Sequence, residues 1–300
     1  IDVINPATEE SIGQVALGSS KDVDSAVSAA KSAFTKTSKL SKDDRLEILK
    51  VIRENYKKRY NDIAEAIRLE MGAPVKLAES GQTATGLGHL KTAIQVLENH
   101  KFEYMHGDYL VREEPIGVCG LITPWNWPIN QIVSKLAPAF AAGCSVVLKP
   151  SEIAPLSAMV IAEIIHESKL PSGMFNLVNG RGAIAGEAMS SHKDIDMMSF
   201  TGSTRGGIAV ASASAKTVKR VSQELGGKSP NIILDDDEFE NSISKGVIHV
   251  MSNSGQSCNA PTRMLVPKNR HDEALNIAKG VAKQIIVGDP ANEISDLGPL

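Results

Sequence analysis

The 300-residue sequence is poor in cysteine, has no long apolar run and carries no excess of either charge, and each shortage removes a class of function. Its three cysteines, Cys119, Cys144 and Cys258, are an odd number at wide spacing, which argues against a disulfide framework and for a reducing cytoplasm. No two of the histidines (His89, His100, His106, His166, His192, His249 and His271) fall at ligand spacing, so no metal site is expected. With 35 acidic against 32 basic side chains there is no electrostatic ground for a nucleic acid or an anionic membrane as partner. No apolar stretch approaches the roughly 18 residues that a membrane span needs. The start, Ile1-Asp2-Val3-Ile4-Asn5-Pro6, lacks the basic-then-apolar layout of a secretory signal and has no initiator Met, so the natural N-terminus is expected to have been trimmed or left out. What remains is ordinary globular composition, 42% apolar and 22% charged, in a chain long enough for one large domain and part of a second.

The first hundred residues read as helices. Val23, Val27, Ala30 and Phe34 recur at helical spacing after a Ser20 cap. Leu46, Leu49, Tyr56, Tyr60, Ile63 and Ile67 continue as one long stripe, stopped by Gly72 and Pro74. A further helix is expected over Val75–His100, weakened by Gly81, Gly86 and Gly88, and then a hairpin or extended arm over Phe102–Val111 around Gly107-Asp108. From there short apolar strands alternate with helices. Strands are expected at Gly117–Ile122, Ser145–Leu148, Phe175–Val178, Met197–Phe200, Val218–Leu225 and Asn231–Leu234, with helices near Asn130–Ala142, Ser157–Ser168 and Ile184–Ser190. That alternation predicts an α/β fold with a parallel sheet covered on both faces, whose ligands bind at the carboxyl ends of the strands. A helix over Asn241–Asn253, a strand at Arg263–Val266 and a helix at His271–Ile285 follow.

Several short segments have the composition of chemical sites, and each also has a plainer reading. Gly202-Ser203-Thr204-Arg205-Gly206-Gly207 follows a strand and opens a helix, as a phosphate loop does, or as any tight strand-to-helix turn does. Gly180-Arg181-Gly182 with Gly186 departs by one residue from the dinucleotide pattern. Gly227-Lys228-Ser229 mimics the tail of a P-loop, but Ser222 stands where the first glycine belongs. Lys149 and Glu152, at the end of a strand, could hold ribose hydroxyls or a phosphate, or be a solvated pair. Cys119 and Cys144 lie in apolar strand text, where thiols are inert. Cys258 sits among small and polar neighbours, where a thiol can be either a nucleophile or idle. Glu224 closes a strand beside Gly226-Gly227 and could be a general base or an exposed turn residue. Pro124-Trp125-Asn126-Trp127-Pro128 uses both tryptophans of the chain. Its Asn amide could donate to an oxyanion, or the segment could be a packed aromatic loop. The acidic run 235–238 is assigned no chemistry.

Taken together these segments resemble one family. Pro124-Trp125-Asn126, Lys149-Pro150-Ser151-Glu152, Phe200-Thr201-Gly202-Ser203-Thr204, Glu224-Leu225-Gly226-Gly227-Lys228 and Gly255-Gln256-Ser257-Cys258 occur in the order seen in the aldehyde dehydrogenase superfamily, with a step of 34 residues from Glu224 to Cys258 that also resembles that family's. The resemblance runs from Asn5-Pro6 to Gly298-Pro299-Leu300. It implies a doubly wound, Rossmann-like coenzyme domain over 1–100 and 117–226, an oligomerisation arm over 101–116 and an incomplete α/β catalytic domain over 227–300. It implies oxidation of an aldehyde to its acid: Cys258 as nucleophile, the Asn126 side chain and Cys258 backbone N–H at the oxyanion, Glu224 activating water, and Lys135 assisting proton movement. Trp125, Lys149, Glu152, Gly182, Gly186, Gly202, Ser203, Gly207 and Leu225 would hold the coenzyme. A carboxylate at Glu152 would repel a 2′-phosphate, so NAD is expected over NADP. Trp127, Gln131, Ser134, Ser257 and Asn259 are expected to line the substrate tunnel.

The chain ends short of a full-length member of that family, so a C-terminally truncated record of a cytoplasmic homodimer or homotetramer is expected. Two other readings stand beside it. A CoA-acylating dehydrogenase would pass the acyl group to CoA, but such members usually lack the glutamate at the place of Glu224. A non-catalytic relative or binding module would not need the set Cys258, Glu224 and Asn126.

Overall fold

The computed structural model describes residues 1–300. Where helix is expected, the chain opens instead with an antiparallel strand pair, β1 (Asp2–Ile4) and β2 (Ser11–Gln14). These strands are too short to show in a helical window. Between them Pro6 lacks a backbone donor, and the Asn5 side chain accepts the Ala7 N–H at 2.9 Å, turning the chain back. Helix α1 (Ser20–Thr37) is capped by Ser19 rather than Ser20, because Asp22 reaches back to the Ser19 N–H at 2.7 Å. The long stripe is two helices, α2 (Lys42–Lys58) and α3 (Tyr60–Met71), broken at Arg59. The break lets α3 pack on the later helix over Leu156–Glu167, while α2 packs on the helices over Ala84–Asn99 and Pro128–Ala141. After Gly72, at φ +71, the chain makes a π-helical turn over Leu77–Thr83 before α4 (Ala84–Asn99). The hairpin follows as β3 (Glu103–His106) and β4 (Tyr109–Arg112), pairing as expected around Gly107-Asp108.

The alternating region is then β5 (Val118–Ile122), α5 (Pro128–Ala141), β6 (Ser145–Lys149), α6 (Leu156–Glu167), β7 (Phe175–Leu177), α7 (Glu187–Ser191), β8 (Met197–Gly202), α8 (Thr204–Ala215) and β9 (Arg220–Leu225). Its strands form one parallel sheet in the order β7-β6-β5-β8-β9. β5 and β6 are buried at every position, which is why they read as unbroken apolar text. Alternate side chains feed two cores. Cys119, Leu121, Val146 and Leu148 join the helices α2 to α6 on one face, whereas Val118, Ile122 and Val147 join α1, α7 and α8 on the other. The chain winds outward from β5 to β7 and then crosses to β8 on the opposite side of β5. That crossing leaves a crevice at the carboxyl ends of β5 and β8, the place where doubly wound sheets bind ligands.

Beyond β9 lie β10 (Pro230–Ile232), α9 (Phe239–Met251), β11 (Arg263–Leu265) and α10 (His271–Ala282). The strand expected at Asn231–Leu234 therefore does not extend the main sheet; β10 pairs in parallel with β11 alone. Ile233, Phe239, Ile243, Val247 and Ala274 form a small third core there.

One buried charge ties the first layer to the sheet. Glu70 of α3 is 1% exposed and accepts the N–H groups of Leu156 and Ser157, the latter at 3.1 Å, in the first turn of α6. Burial outweighs these bonds and pushes its carboxyl from 4.5 up to about 7. A carboxyl raised on folding keeps its proton longer in the folded state, so its contribution to stability falls as pH climbs from about 4.5 through about 7. The unfolding free energy of the wild type should decline relative to Glu70→Gln across that window, by about 3 kcal/mol at most. Thermal unfolding of both chains at stepped pH checks this; a difference independent of pH would contradict it.

Candidate active site

An open cleft of about 310 Å³ occupies the crevice at the ends of β5, β8 and β9. Four stretches distant in sequence line it: Pro124 to Asn126 after β5, Thr201 to Ser203 at the end of β8, Leu225 and Gly226 at the end of β9, and Gly255 to Cys258 after α9. Asn126 and the cysteine loop touch directly. The Asn126 Nδ2 donates to the Gln256 carbonyl at 2.7 Å, and the Trp127 Nε1 donates to the Ser257 Oγ at 2.8 Å. Before Cys258 the backbone runs through three successive left-handed residues, Asn253 (φ 57), Ser254 (φ 55) and Gly255 (φ 74). That conformation strains a serine and suits Asn and Gly. It turns the chain off the end of α9 and back toward the sheet.

Cys258 is half-buried and its thiol is free. Burial raises its pKa above the ordinary thiol value, and the negative charge of Glu224 beside it raises it further. Glu224 sits in β9, directly across from Thr201 of β8. Lys135 of α5 also feels Glu224. Burial lowers its ammonium pKa to about 8 against that charge, and its Nζ donates to the Ser199 Oγ of β8 at 2.9 Å. Carboxylate, thiol and a weakly held ammonium proton thus share one electrostatic neighbourhood.

A second group gathers at the end of β6. Lys149 is 2% exposed, and its Nζ donates to the carbonyls of Pro150 (2.8 Å) and Gly180 (2.7 Å) and to Glu152 Oε2 (3.0 Å). All three ammonium protons are therefore engaged within the protein. Burial works to raise the Glu152 carboxyl, but its own backbone N–H, Lys149 and the Gly182 N–H together hold it below the usual carboxylate range. Gly182 opens on free space, and Gly186 lies against the Lys149 stem. Ser203 caps α8, its Oγ accepting the Gly206 N–H at 3.1 Å, so the N-terminus of that helix opens on the cleft. Gly207 is buried on the other side of the same helix, where a Cβ would come within 2.7 Å of Leu225, so it serves the close packing of α8 on β9.

Of the residues expected in the substrate tunnel, Gln131 and Ser257 line the cleft, and Trp127 bonds to Ser257. Asn259 is exposed beyond its rim. Ser134 lies elsewhere, in a separate groove of about 390 Å³ between α4 and α5, with its Oγ donating to the Gln131 carbonyl at 3.3 Å. Gln131 and Ser134 are only three residues apart on α5, less than one turn, and spacing alone could not assign Ser134 to one cavity. Gln82 and Asn253, which bond to the Asn126 loop, were not legible in the sequence. Gln82 sits in a glycine-weakened stretch and Asn253 at a helix end, with no motif to mark either.

The model of the aldehyde dehydrogenase family matches residues 1–300. The chain is 53% identical to a 3-succinoylsemialdehyde-pyridine dehydrogenase of a Pseudomonas species, over all of this chain and 63% of that protein. Among solved structures it is similar to aldehyde dehydrogenase C of Pseudomonas syringae, a cysteine-to-alanine mutant complexed with NAD+ and octanal (51% identity, TM-score 0.98, all of this chain and 62% of that one). It is also similar to a point mutant of betaine aldehyde dehydrogenase of Staphylococcus aureus in complex with NAD+ (31% identity, TM-score 0.96, all of this chain and 61% of that one). The chain belongs to the aldehyde dehydrogenase family. It spans 63% of the length of the curated relative at 53% identity.

The electrostatics at the sulfur are open to direct measurement. The pH midpoint for alkylation of Cys258 by iodoacetamide should lie above that of a free thiol and move down in Glu224→Gln, which removes the neighbouring negative charge. An unchanged midpoint would separate the two groups.

Proposed function

We propose that the full-length enzyme carrying this segment oxidises an aldehyde to its carboxylic acid, with Cys258 as nucleophile and NAD as hydride acceptor. The observation that carries this reading is the meeting of Cys258 and the Asn126 loop at the switch-point cleft of a family member, with Glu224 beside the thiol. The thiol gives up its proton to solvent, and the sulfur adds to the aldehyde carbon. The carbonyl oxygen becomes an oxyanion, facing the Cys258 backbone N–H and the Asn126 carboxamide. Asn126 Nδ2 has two protons and gives one to Gln256, so one is left for the oxyanion. NAD, when bound, supplies the ring that takes the hydride as the adduct becomes a thioester. Glu224 then draws a proton from water, whose oxygen attacks the thioester carbon; the carbon–sulfur bond breaks, the acid leaves and the Cys258 sulfur takes the proton back from Glu224. Lys135, with its lowered pKa beside Glu224, can relay that proton.

The residues present fit a dinucleotide. The ionised Glu152 can accept ribose hydroxyls and would repel a 2′-phosphate, which supports NAD over NADP. Lys149 acts behind it, holding the carboxylate. The open N-terminus of α8 at Ser203, with Gly202 and Trp125 in the cleft wall, suits a pyrophosphate. Residues 227–300 are read as the beginning of a catalytic domain set against the coenzyme domain. The exposed hairpin β3–β4, with Met105 62% and Tyr109 77% exposed, is read as an arm that pairs with another subunit. The three free thiols accord with a reducing cytoplasm.

Two substitutions test the chemistry. Glu224→Gln should cut steady turnover by about 10²–10⁴-fold, while a first-turnover burst of NADH survives. Asn126→Ala should lower kcat/KM for the aldehyde by about 10²–10³-fold. Stopped-flow NADH absorbance reads both. Wild-type turnover in the first removes the base from Glu224, and near-full activity in the second removes Asn126 from the oxyanion.

A further inference from the structure

The Asn126 carboxamide has two ends, and only its NH2 end can stabilise an oxyanion. Its Oδ1 is buried with no partner, so nothing on that side selects the orientation. The selection comes from the Gln256 carbonyl, which accepts from Nδ2 at 2.7 Å and would repel Oδ1 if the amide flipped. What fixes the Gln256 carbonyl therefore fixes which atom of Asn126 faces the substrate.

Two residues without a role in the chemistry do this. Asn253 Nδ2 donates to the Gln256 carbonyl at 3.2 Å and to the Asn126 carbonyl at 2.9 Å. Gln82 Nε2 donates to Asn253 Oδ1 at 2.8 Å and to the same Asn126 carbonyl at 3.2 Å. Both side chains are sealed from solvent, at 0% and 2% exposure, so water cannot replace these bonds. Each stands on irregular backbone: Gln82 in the π-helical turn Leu77–Thr83, Asn253 at φ 57. Such departures from regular geometry recur where a side chain must be aimed. We propose that Gln82 and Asn253 are positioning residues for catalysis, closing a hydrogen-bonded ring through the Asn126 and Gln256 carbonyls that holds the Asn126 NH2 group toward the reacting oxygen. The proposal rests on the reading of Asn126 as oxyanion donor.

The test is a double-mutant cycle in the full-length enzyme. Gln82→Leu should lower kcat/KM for the aldehyde by about 10–100-fold, the range seen when a supporting hydrogen bond behind a reactive group is removed. NAD affinity and the rate of Cys258 alkylation should stay at wild-type values, which a general loss of structure would not allow. In the Asn126→Ala background the same substitution should cost almost nothing, because the amide it aims is gone. Gln82→Met, of similar volume, serves should the leucine variant not fold, and Asn253→Ser probes the ring from its other side. Wild-type kcat/KM in the Gln82 variants, or an equal loss with and without Asn126, overturns the proposal while leaving the oxyanion reading intact. Full activity in Asn126→Ala alone would sink that reading and this proposal with it.

Discussion

The loops that carry Asn126 and Cys258 come from different layers of the molecule, and a seam of part-buried hydrogen bonds makes them one site. Asn126 lies in the loop after β5 of the main sheet; Cys258 follows α9, which packs with α10 over the small third core. No strand pairing joins the two. Their relative placement depends on Asn126 Nδ2 at the Gln256 carbonyl, Asn253 Nδ2 across both carbonyls and Trp127 Nε1 at Ser257. Bonds of this kind add little to stability when exchanged with water, but once buried they are costly to leave unmade. The seam can therefore specify geometry without being the main source of folding energy.

That energy comes from the sheet and its two covering layers. β5 and β6 send alternate side chains into the two larger cores, and the crossing from β7 back to β8 leaves the crevice that the loops fill. The charge pattern follows from the same placement. Glu224 ends β9 next to the switch point, close enough for its charge to hold the proton on Cys258 and to offset the desolvation of Lys135. A single carboxylate at the edge of a parallel sheet thus adds to the effect of burial at Cys258 and opposes it at Lys135. At the end of β6 the buried Lys149 does a related task for Glu152, helping to hold its carboxyl below the usual carboxylate range.

How much of this was legible in the sequence depended on how local the causes were. The strands at 117–122, 145–148 and 197–200 showed as apolar runs because burial on both faces leaves no polar alternation. Cys258, Glu224 and Asn126 stood out by the small and turn-forming residues around them, and their order carried the resemblance to the family. The N-terminal strand pair was hidden because each strand is only three or four residues long. The α2–α3 stripe concealed its break at Arg59, since the apolar spacing continues across it. Asn231 and its neighbours read as a strand correctly, but which sheet they join is decided by Arg263–Leu265, far along the chain. Gln82 and Asn253 were invisible for the same reason: a polar residue becomes a support only through what the fold brings to it. Ser134 shows the converse, a position whose side of α5 places it on a different cavity.

Only Cys258 lies in the cleft while Cys119 and Cys144 are buried, and we propose that this one sulfur among three does the chemistry. Rapid acid quench of the full-length enzyme with an aldehyde and NAD, followed by peptide mass mapping, tests it most directly. The account predicts an acyl mass on the peptide containing Cys258 and on no other. Acylation at Cys119 or Cys144, or product formed with no acyl-enzyme during turnover and Cys258 dispensable, would contradict it.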